Sequence, residues 1–314
     1  MFRSTRSPHV LAALLLPPLL VLAGCGGSAK NNDAAATSAA SEQASWPVTV
    51  TGTNGEVTLD AQPEAIVSLS ATATEMLFAI GAGPQVEAVD STSNYPTDAP
   101  TTDLSAFTPN AEAIAKYNPD LVVLSDDMNG IVKALGALDV PTLQLGAAKT
   151  LDDSYAQLKT LGDATGHTDD ADKVVTDMQD RIEAAVKSVG NTAKGMSVYH
   201  ELDPTYYSVG SSTFIGSIYK LFGLENIADS AADAAGGYPQ LSAEYVVGKA
   251  PDLIVLADTI CCQQTAGSLA KRPAFDTVPA VKEGRVLEAS DDVASRWGPR
   301  VADFAESVAK TLKG

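Results

Sequence analysis

Residues 110–126 read NAEAIAKYNPDLVVLSD, and residues 242–258 read SAEYVVGKAPDLIVLAD. They align without a gap at an offset of 132 positions, pairing Glu112 with Glu244, Pro119 with Pro251 and Asp120 with Asp252. Each copy predicts one unit, a short helix, a Pro-Asp turn and a strand. The residue before a proline is driven out of the helical region, which stops the helix, and the unbroken apolar run LVVL or LIVL reads as a strand covered on both faces. In both copies the glutamate stands at the start of the helix, where a carboxylate is favoured by unpaired backbone N–H groups. Duplication of such a unit predicts two lobes of one construction.

The flanking pattern agrees. Apolar runs at Ala65–Leu69, Val86–Val89, Leu121–Leu124 and Thr142–Leu145 alternate with helical stretches at Thr74–Ile80, Ala111–Tyr117 and Ile131–Leu138. After Lys194 the pattern restarts with Met196–Tyr199, Phe214–Phe222, Ala243–Lys249, Leu253–Leu256, Val286–Ala289 and a closing helix from about Arg300 to Leu312. Strand-helix-strand alternation with continuous apolar strands implies parallel sheets. Between the halves, Ala171, Val174, Val175, Met178, Ile182, Ala185, Val186 and Val189 recur at spacings of 3 and 4, the signature of one helix face. A helix over Thr168–Val189 would span about 33 Å and act as a strut. The fold class is therefore α/β, with two Rossmann-like lobes joined by one long rigid helix and a ligand cleft between them. The expected boundaries are 46–167 for the first lobe, 168–190 for the linking helix and 191–314 for the second lobe.

Composition bounds the function. The 314 residues are 45% hydrophobic and 19% charged, enough apolar matter for two domains of ordinary size. Formal charge is −18, and no cluster of Lys and Arg offers a phosphate backbone its counterions, so a nucleic-acid partner is excluded. Three cysteines and three histidines, scattered along the chain, argue against a zinc-finger or iron–sulfur site.

At the N-terminus, two arginines within Met1–Val10 precede a leucine-rich run, and Leu22-Ala23-Gly24-Cys25 follows it. That is the pattern of a lipoprotein export signal, too short and too proline-broken to span a bilayer. Residues 1–24 are expected to be removed, leaving a diacylglycerol thioether on Cys25 and a net charge of −20 once Arg3 and Arg6 are gone. Residues 25–45, small and polar, are expected to form a flexible tether. The expected location is the extracytoplasmic face of the cell membrane, held by lipid alone.

Taken together, these features resemble the ABC-transporter substrate-binding proteins of the ferric-siderophore, haem and cobalamin type. The resemblance runs from about Glu64 to Leu312. It rests on Ile66–Gly81, the two Glu/Pro-Asp-Leu units, Gly210–Gly216 followed by Gly223–Ile227, and Trp297–Val301, in the family's order. It implies capture of a bulky metal chelate, a ferric siderophore or a corrinoid such as cobalamin, followed by delivery to a permease dimer with its ATPase subunits. It also implies that Glu112 and Glu244 dock onto permease arginines, and that the protein works as a monomer without a resident cofactor or catalytic residues.

Ligands of parallel α/β lobes meet the loops that leave the carboxyl ends of strands. On that rule the cleft candidates are Ser70–Thr72, Tyr95, Asp126, Asp127 and Met128 in the first lobe, and Tyr206, Tyr207, Arg296 and Trp297 in the second. Aromatic side chains suit a corrin, haem or catecholate face, and Arg296 suits an anionic group. Siderophore, corrinoid and haem all stay open. Cys261 and Cys262, adjacent in an exported chain, are expected either to close a vicinal disulfide that stiffens a cleft loop or to remain as two thiols. Two other functions compete. A receptor for free zinc or manganese needs several imidazoles, and the exported chain has only His167 and His200. An extracytoplasmic enzyme on this scaffold would need a motif such as Gly-x-Ser-x-Gly or His-Glu-x-x-His, and the sequence has neither.

Overall fold

The computed structural model describes residues 45–232 and 235–314. The expected export signal, Cys25 and the tether as far as residue 44 lie outside the described residues. The described chain opens with a hairpin, β1 (Val48–Gly52) and β2 (Gly55–Leu59), and continues as β3 (Ile66–Leu69), α1 (Ala71–Ala79), β4 (Val86–Val89), α2 (Ala111–Ala115), β5 (Leu121–Leu124), α3 (Ile131–Gly136) and β6 (Thr142–Gln144). Two long helices follow, α4 (Leu151–Thr165) and α5 (Thr168–Val189). The remainder is β7 (Ser197–Glu201), α6 (Phe214–Leu221), β8 (Glu225–Asn226), α7 (Asp229–Ala232), α8 (Ala243–Lys249), β9 (Leu253–Leu256), α9 (Ala266–Leu269), α10 (Pro279–Lys282), β10 (Val286–Glu288) and α11 (Val301–Lys313).

Two parallel four-stranded sheets result, with orders β4-β3-β5-β6 and β8-β7-β9-β10, the same topology twice. The duplication extends into the register. Ile66 pairs with Leu121 and Val198 with Leu253, so both partners are displaced by the same 132 positions as the repeated units. The Pro-Asp aspartates hold that register. Asp120 Oδ2 accepts from the backbone N–H groups of Glu64 (2.9 Å) and Ala65 (3.0 Å), and Asp252 Oδ2 accepts from the N–H (2.9 Å) and hydroxyl (3.0 Å) of Ser197. Each carboxylate thus ties the start of its own strand to the start of the neighbouring one.

Every residue of β3, β5 and β9 is buried, because both faces of each sheet are covered. Alternate side chains divide the core. Val67, Leu69, Val122 and Leu124 pack under α2 and α3, and Tyr199, Ile254 and Leu256 pack with Leu269 and Phe275. The opposite faces, through Ile66, Leu121, Val123, Val198, Leu253 and Val255, join one continuous core with α4, α5 and α11. Helix α5, 22 residues long, buries Ala171, Val175, Met178, Ile182, Ala185 and Val189 and packs between α4 and α11. On its outer side Arg181 donates to both Glu306 oxygens (2.8 and 2.9 Å) and to Asp303, binding α5 to α11.

Helix α4 and the β1–β2 hairpin were not legible in the alternating pattern. The buried face of α4 includes Ser154, Gly162 and Thr165, small residues that read as solvent-facing, although Thr150 and Asp153 form a capping box at its start. Gly162 is small for a reason. A Cβ there would lie 2.5 Å from the Ala171 Cβ and 3.1 Å from the His167 carbonyl, where α4 meets the first turn of α5. Gly162→Ala is therefore expected to lose about 1–3 kcal/mol of stability through overpacking despite its better helix propensity, read as a lower urea midpoint.

Candidate ligand cleft

The carboxyl ends of β3 and β5 open onto a cavity lined by Ser70, Ala71, Thr72, Phe107, Ser125, Asp126 and Met128, and Trp297 from the second lobe closes one side. Ser70 caps α1, its hydroxyl accepting from the Ala73 N–H at 3.2 Å, which fixes the turn at the cavity floor. Phe107 and Met128 are exposed, and large apolar side chains left in water at a concave site favour a ligand with an apolar face. No lysine or arginine lines this cavity among the described residues, and Asp126 is its one charged wall.

Trp297 is held from three sides. Its indole N–H donates to Gln157 Oε1 (2.8 Å), its carbonyl accepts from the Ser154 hydroxyl (2.5 Å), and its ring packs on the continuous core. Both hydrogen-bond partners belong to α4, so the turn from the second lobe is anchored on a helix between the two sheets.

Beside it lies a buried ionic cluster. Glu75, in the apolar helix α1, is 3% exposed. Arg296 Nη1 donates to Glu75 Oε1 (2.7 Å), while Arg300 donates through Nε to Oε2 (2.9 Å) and through Nη2 to Oε1 (2.5 Å). Arg296 also donates to Asn94 Oδ1 (3.0 Å), to the Thr92 carbonyl (3.0 Å) and to Asp292 Oδ1 (2.7 Å). Four contacts within the protein thus already employ the guanidinium of Arg296, the residue expected to receive an anionic group of the ligand. Tyr95 lies apart from the Trp297 cavity. Its ring sits beneath Arg300, 4.2 Å from guanidinium carbon to ring centroid, and lines a separate cavity with Glu75, Phe78 and Arg181. Asp127, exposed in the loop after β5, accepts through Oδ1 from the Val132 N–H at the start of α3 (2.9 Å).

In the second sheet, Glu201 at the end of β7 is fully buried and receives both terminal nitrogens of Arg272 (2.7 and 2.5 Å) and the Tyr199 hydroxyl (3.1 Å). Tyr206, expected at the cleft, stacks on Phe275 and lies under Arg272, so its ring is engaged in packing within the second lobe. Tyr207 is exposed at the same sheet edge. Cys261 and Cys262, in the loop that leaves β9, are not joined by a disulfide bond in this structure. Asp258, just past β9, is fully buried with neither carboxyl oxygen bonded to any described residue, and burial beside negative Glu201 pushes its carboxyl up to about 7. His200 is also fully buried, bonded through Nδ1 to the Tyr219 hydroxyl (2.6 Å), and burial pushes it down to about 3, so it is a neutral core residue.

A family model described as periplasmic binding protein matches residues 66–293. The chain belongs to the periplasmic binding protein family. It is 30% identical over 276 residues to a cobalamin-binding protein of Halobacterium salinarum, covering 84% of this chain and 73% of that one. It is 28% identical over 277 residues to the ABC transporter substrate-binding lipoprotein YvrC of Bacillus subtilis, covering 85% and 86%. Among solved structures, the periplasmic vitamin B12 binding protein of Vibrio cholerae superposes with a TM-score of 0.67 at 25% identity, covering 80% of this chain and 97% of that one.

Within this binding-protein fold, sequence reasoning overlooked Glu75, Asn94, Gln157 and Asp292. One signal was available: Glu75 interrupts the apolar run Ala73 to Ile80, and a carboxylate on a buried helix face requires a cation, which the two arginines four residues apart at 296 and 300 supply. Glu75→Gln is expected to destabilise the fold by roughly 3–5 kcal/mol in urea titration, because both guanidinium groups lose their buried counter-charge. Asp258 predicts a pH signature. Between about pH 4 and 7 the native chain keeps a proton that the unfolded chain has released, so this group costs stability as pH rises through that window. His200 acts in the opposite sense below about pH 6.5, where only the unfolded chain takes up its proton. Comparison of Asp258→Asn with the parent isolates the first term: the variant's urea midpoint should gain on the parent's from pH 5 to pH 8, and a constant difference would exclude a protonated Asp258.

Proposed function

We propose that this chain is the lipid-anchored extracytoplasmic receptor of an ABC importer, and that it delivers a corrinoid to a permease dimer driven by its ATPase subunits. The role is binding and transfer, with no chemistry performed on the ligand. One observation carries the delivery half of this reading. Glu112 and Glu244 are both exposed, both one residue inside a capped helix start, and related by the same displacement as the strands beneath them. Asn110 and Ser242 cap the two helices by accepting from the N–H three residues on (2.8 and 3.1 Å), so the two carboxylates are presented by equivalent frames. A paired receptor surface of opposite charge would read such a pair, and the acidic surface would steer the encounter.

The ligand half rests on charge and apolar surface. The arginines near the cleft, Arg296, Arg300 and Arg272, are neutralised by Glu75, Asp292 and Glu201, and the cavity beside Trp297 offers only Asp126 as a charge. A polyanionic catecholate chelate would be desolvated there without a counter-charge, whereas a corrinoid of low net charge brings the apolar face that Phe107, Met128 and Trp297 suit. The relatives named as cobalamin-binding support the same choice.

Tryptophan fluorescence titration with hydroxocobalamin, a neutral ferric trihydroxamate, a ferric tricatecholate and haemin tests the ligand. Saturable quenching by hydroxocobalamin, weaker or absent with the tricatecholate, is expected, and a response to the tricatecholate alone would reject the corrinoid. Glu112→Lys or Glu244→Lys should abolish uptake in cells while leaving the Kd for the ligand unchanged, and a charge-reversed chain that still imports would reject the docking surface. Cys25→Ser should shift the chain from the membrane to the soluble extracytoplasmic fraction.

A further inference from the structure

Cys261 and Cys262 lie in the loop that leaves β9, outside the ionic cluster and the Trp297 cavity. Neighbouring residues of an extended chain send their side chains to opposite faces. Here Thr259–Cys261 form a turn and Cys262 a bend, so the two sulfur atoms converge to 2.6 Å, closer than unbonded sulfurs ordinarily sit. The loop is fixed on both sides of the pair. Asp291 accepts from the N–H groups of Ile260 (2.9 Å) and Cys261 (2.8 Å), and the Thr259 hydroxyl donates to the Ala289 carbonyl (2.7 Å). On the other side the Cys262 N–H donates to the Asp258 carbonyl (3.2 Å), and the Gln264 side-chain amide donates to the Cys262 carbonyl (3.1 Å) while its oxygen receives Arg272 (2.8 Å). Cys261 is exposed and Cys262 half-buried, so an oxidant reaches the first sulfur, and because desolvation and the neighbouring Cys262 and Asp291 push the Cys261 thiol up, its thiolate forms rarely and the exchange is slow.

We infer that Cys261 and Cys262 form a dithiol site, closed to a vicinal disulfide by exchange with a disulfide-bearing oxidant and open to thiophilic trivalent arsenicals in its reduced form. In the exchange, the Cys261 thiol loses its proton and its thiolate attacks one sulfur of the oxidant, forming a mixed disulfide and expelling one oxidant thiolate. The Cys262 thiol then loses its proton, and its thiolate attacks the Cys261 sulfur, forming the Cys261–Cys262 bond and expelling the second oxidant thiolate. Two electrons and two protons pass from the chain to the oxidant, which leaves as two thiols. The geometry that makes this site is the fixed loop: the second step needs no search by the resolving sulfur. Asp292, next along the chain from Asp291, belongs to the cluster that joins the lobes through Arg296 and Asn94.

This inference leans on the proposed extracytoplasmic placement only for the supply of oxidant, and purified protein tests it separately. In a Cys25→Ser chain the pair provides the only thiols. Incubation of the reduced chain with oxidised glutathione, followed by intact mass measurement, should show a loss of about 2 Da with no lasting adduct, and Cys262→Ser should instead trap one glutathione on Cys261. Phenylarsine oxide should bind the reduced chain one to one with release of one water and block alkylation of both thiols, and either single serine variant should abolish that protection. Accumulation of glutathione adducts on the unsubstituted pair, or a chain that stays fully reduced, would overturn the redox site. Failure of the arsenical to protect the thiols would overturn their convergence, whatever the outcome of chelate titrations.

Discussion

A carboxylate shut away from water needs a cation, and Glu75 finds two. It belongs to the first helix of the first lobe, whereas Arg296 and Arg300 belong to the segment that runs from the last strand into the last helix. The cost of burying three charges is met only while the geometry holds, so breaking any contact leaves an uncompensated ion. That requirement fixes where residues 290–300 must lie, and with them the Trp297 ring, its bond to Gln157 and the bond between Asn94 and Asp292. The side of the cleft formed by Trp297 is in this sense a consequence of Glu75. The same constraint keeps both arginines engaged within the protein.

The second organising element is the duplicated half. Each lobe places a Pro-Asp carboxylate on the first residues of its leading strand, and each buries one sheet face in a core shared with α4, α5 and α11. The two sheets thus share one hydrophobic core. A cleft bounded by such sheets is shaped by loops, and the loops are where the two halves differ. The first lobe offers apolar and hydroxyl side chains, and the second offers Trp297, the buried Glu201–Arg272 pair and the dithiol turn.

Much of the architecture was readable because it rests on local periodicity. The unbroken apolar runs at Leu121–Leu124 and Leu253–Leu256 coincide with strands residue for residue, and the spacing from Ala171 to Val189 coincides with the buried face of α5. Helix α4 escaped because Ser154, Gly162 and Thr165, small residues that serve close approach, interrupt the buried Tyr155, Leu158 and Leu161 on its contact face. Among the site residues, Asp126, Met128 and Trp297 do share a cavity. The internal partners of Arg296 and Tyr206 were not legible, since a strand-end position says that a side chain stands near the cleft and nothing about which partner claims it first.

By itself, then, the sequence determined the α/β class, the repeat at 132 positions, the paired glutamates and the adjacency of two cysteines. All of these follow from spacing along one chain. Only the tertiary structure decided that Glu75 takes both arginines, that Tyr95 lies beneath Arg300, that Asp258 is buried without a donor and that a turn brings the two sulfur atoms together. Glu75 and Arg296 are separated by 221 positions, and which charge neutralises which is settled by burial and distance after folding.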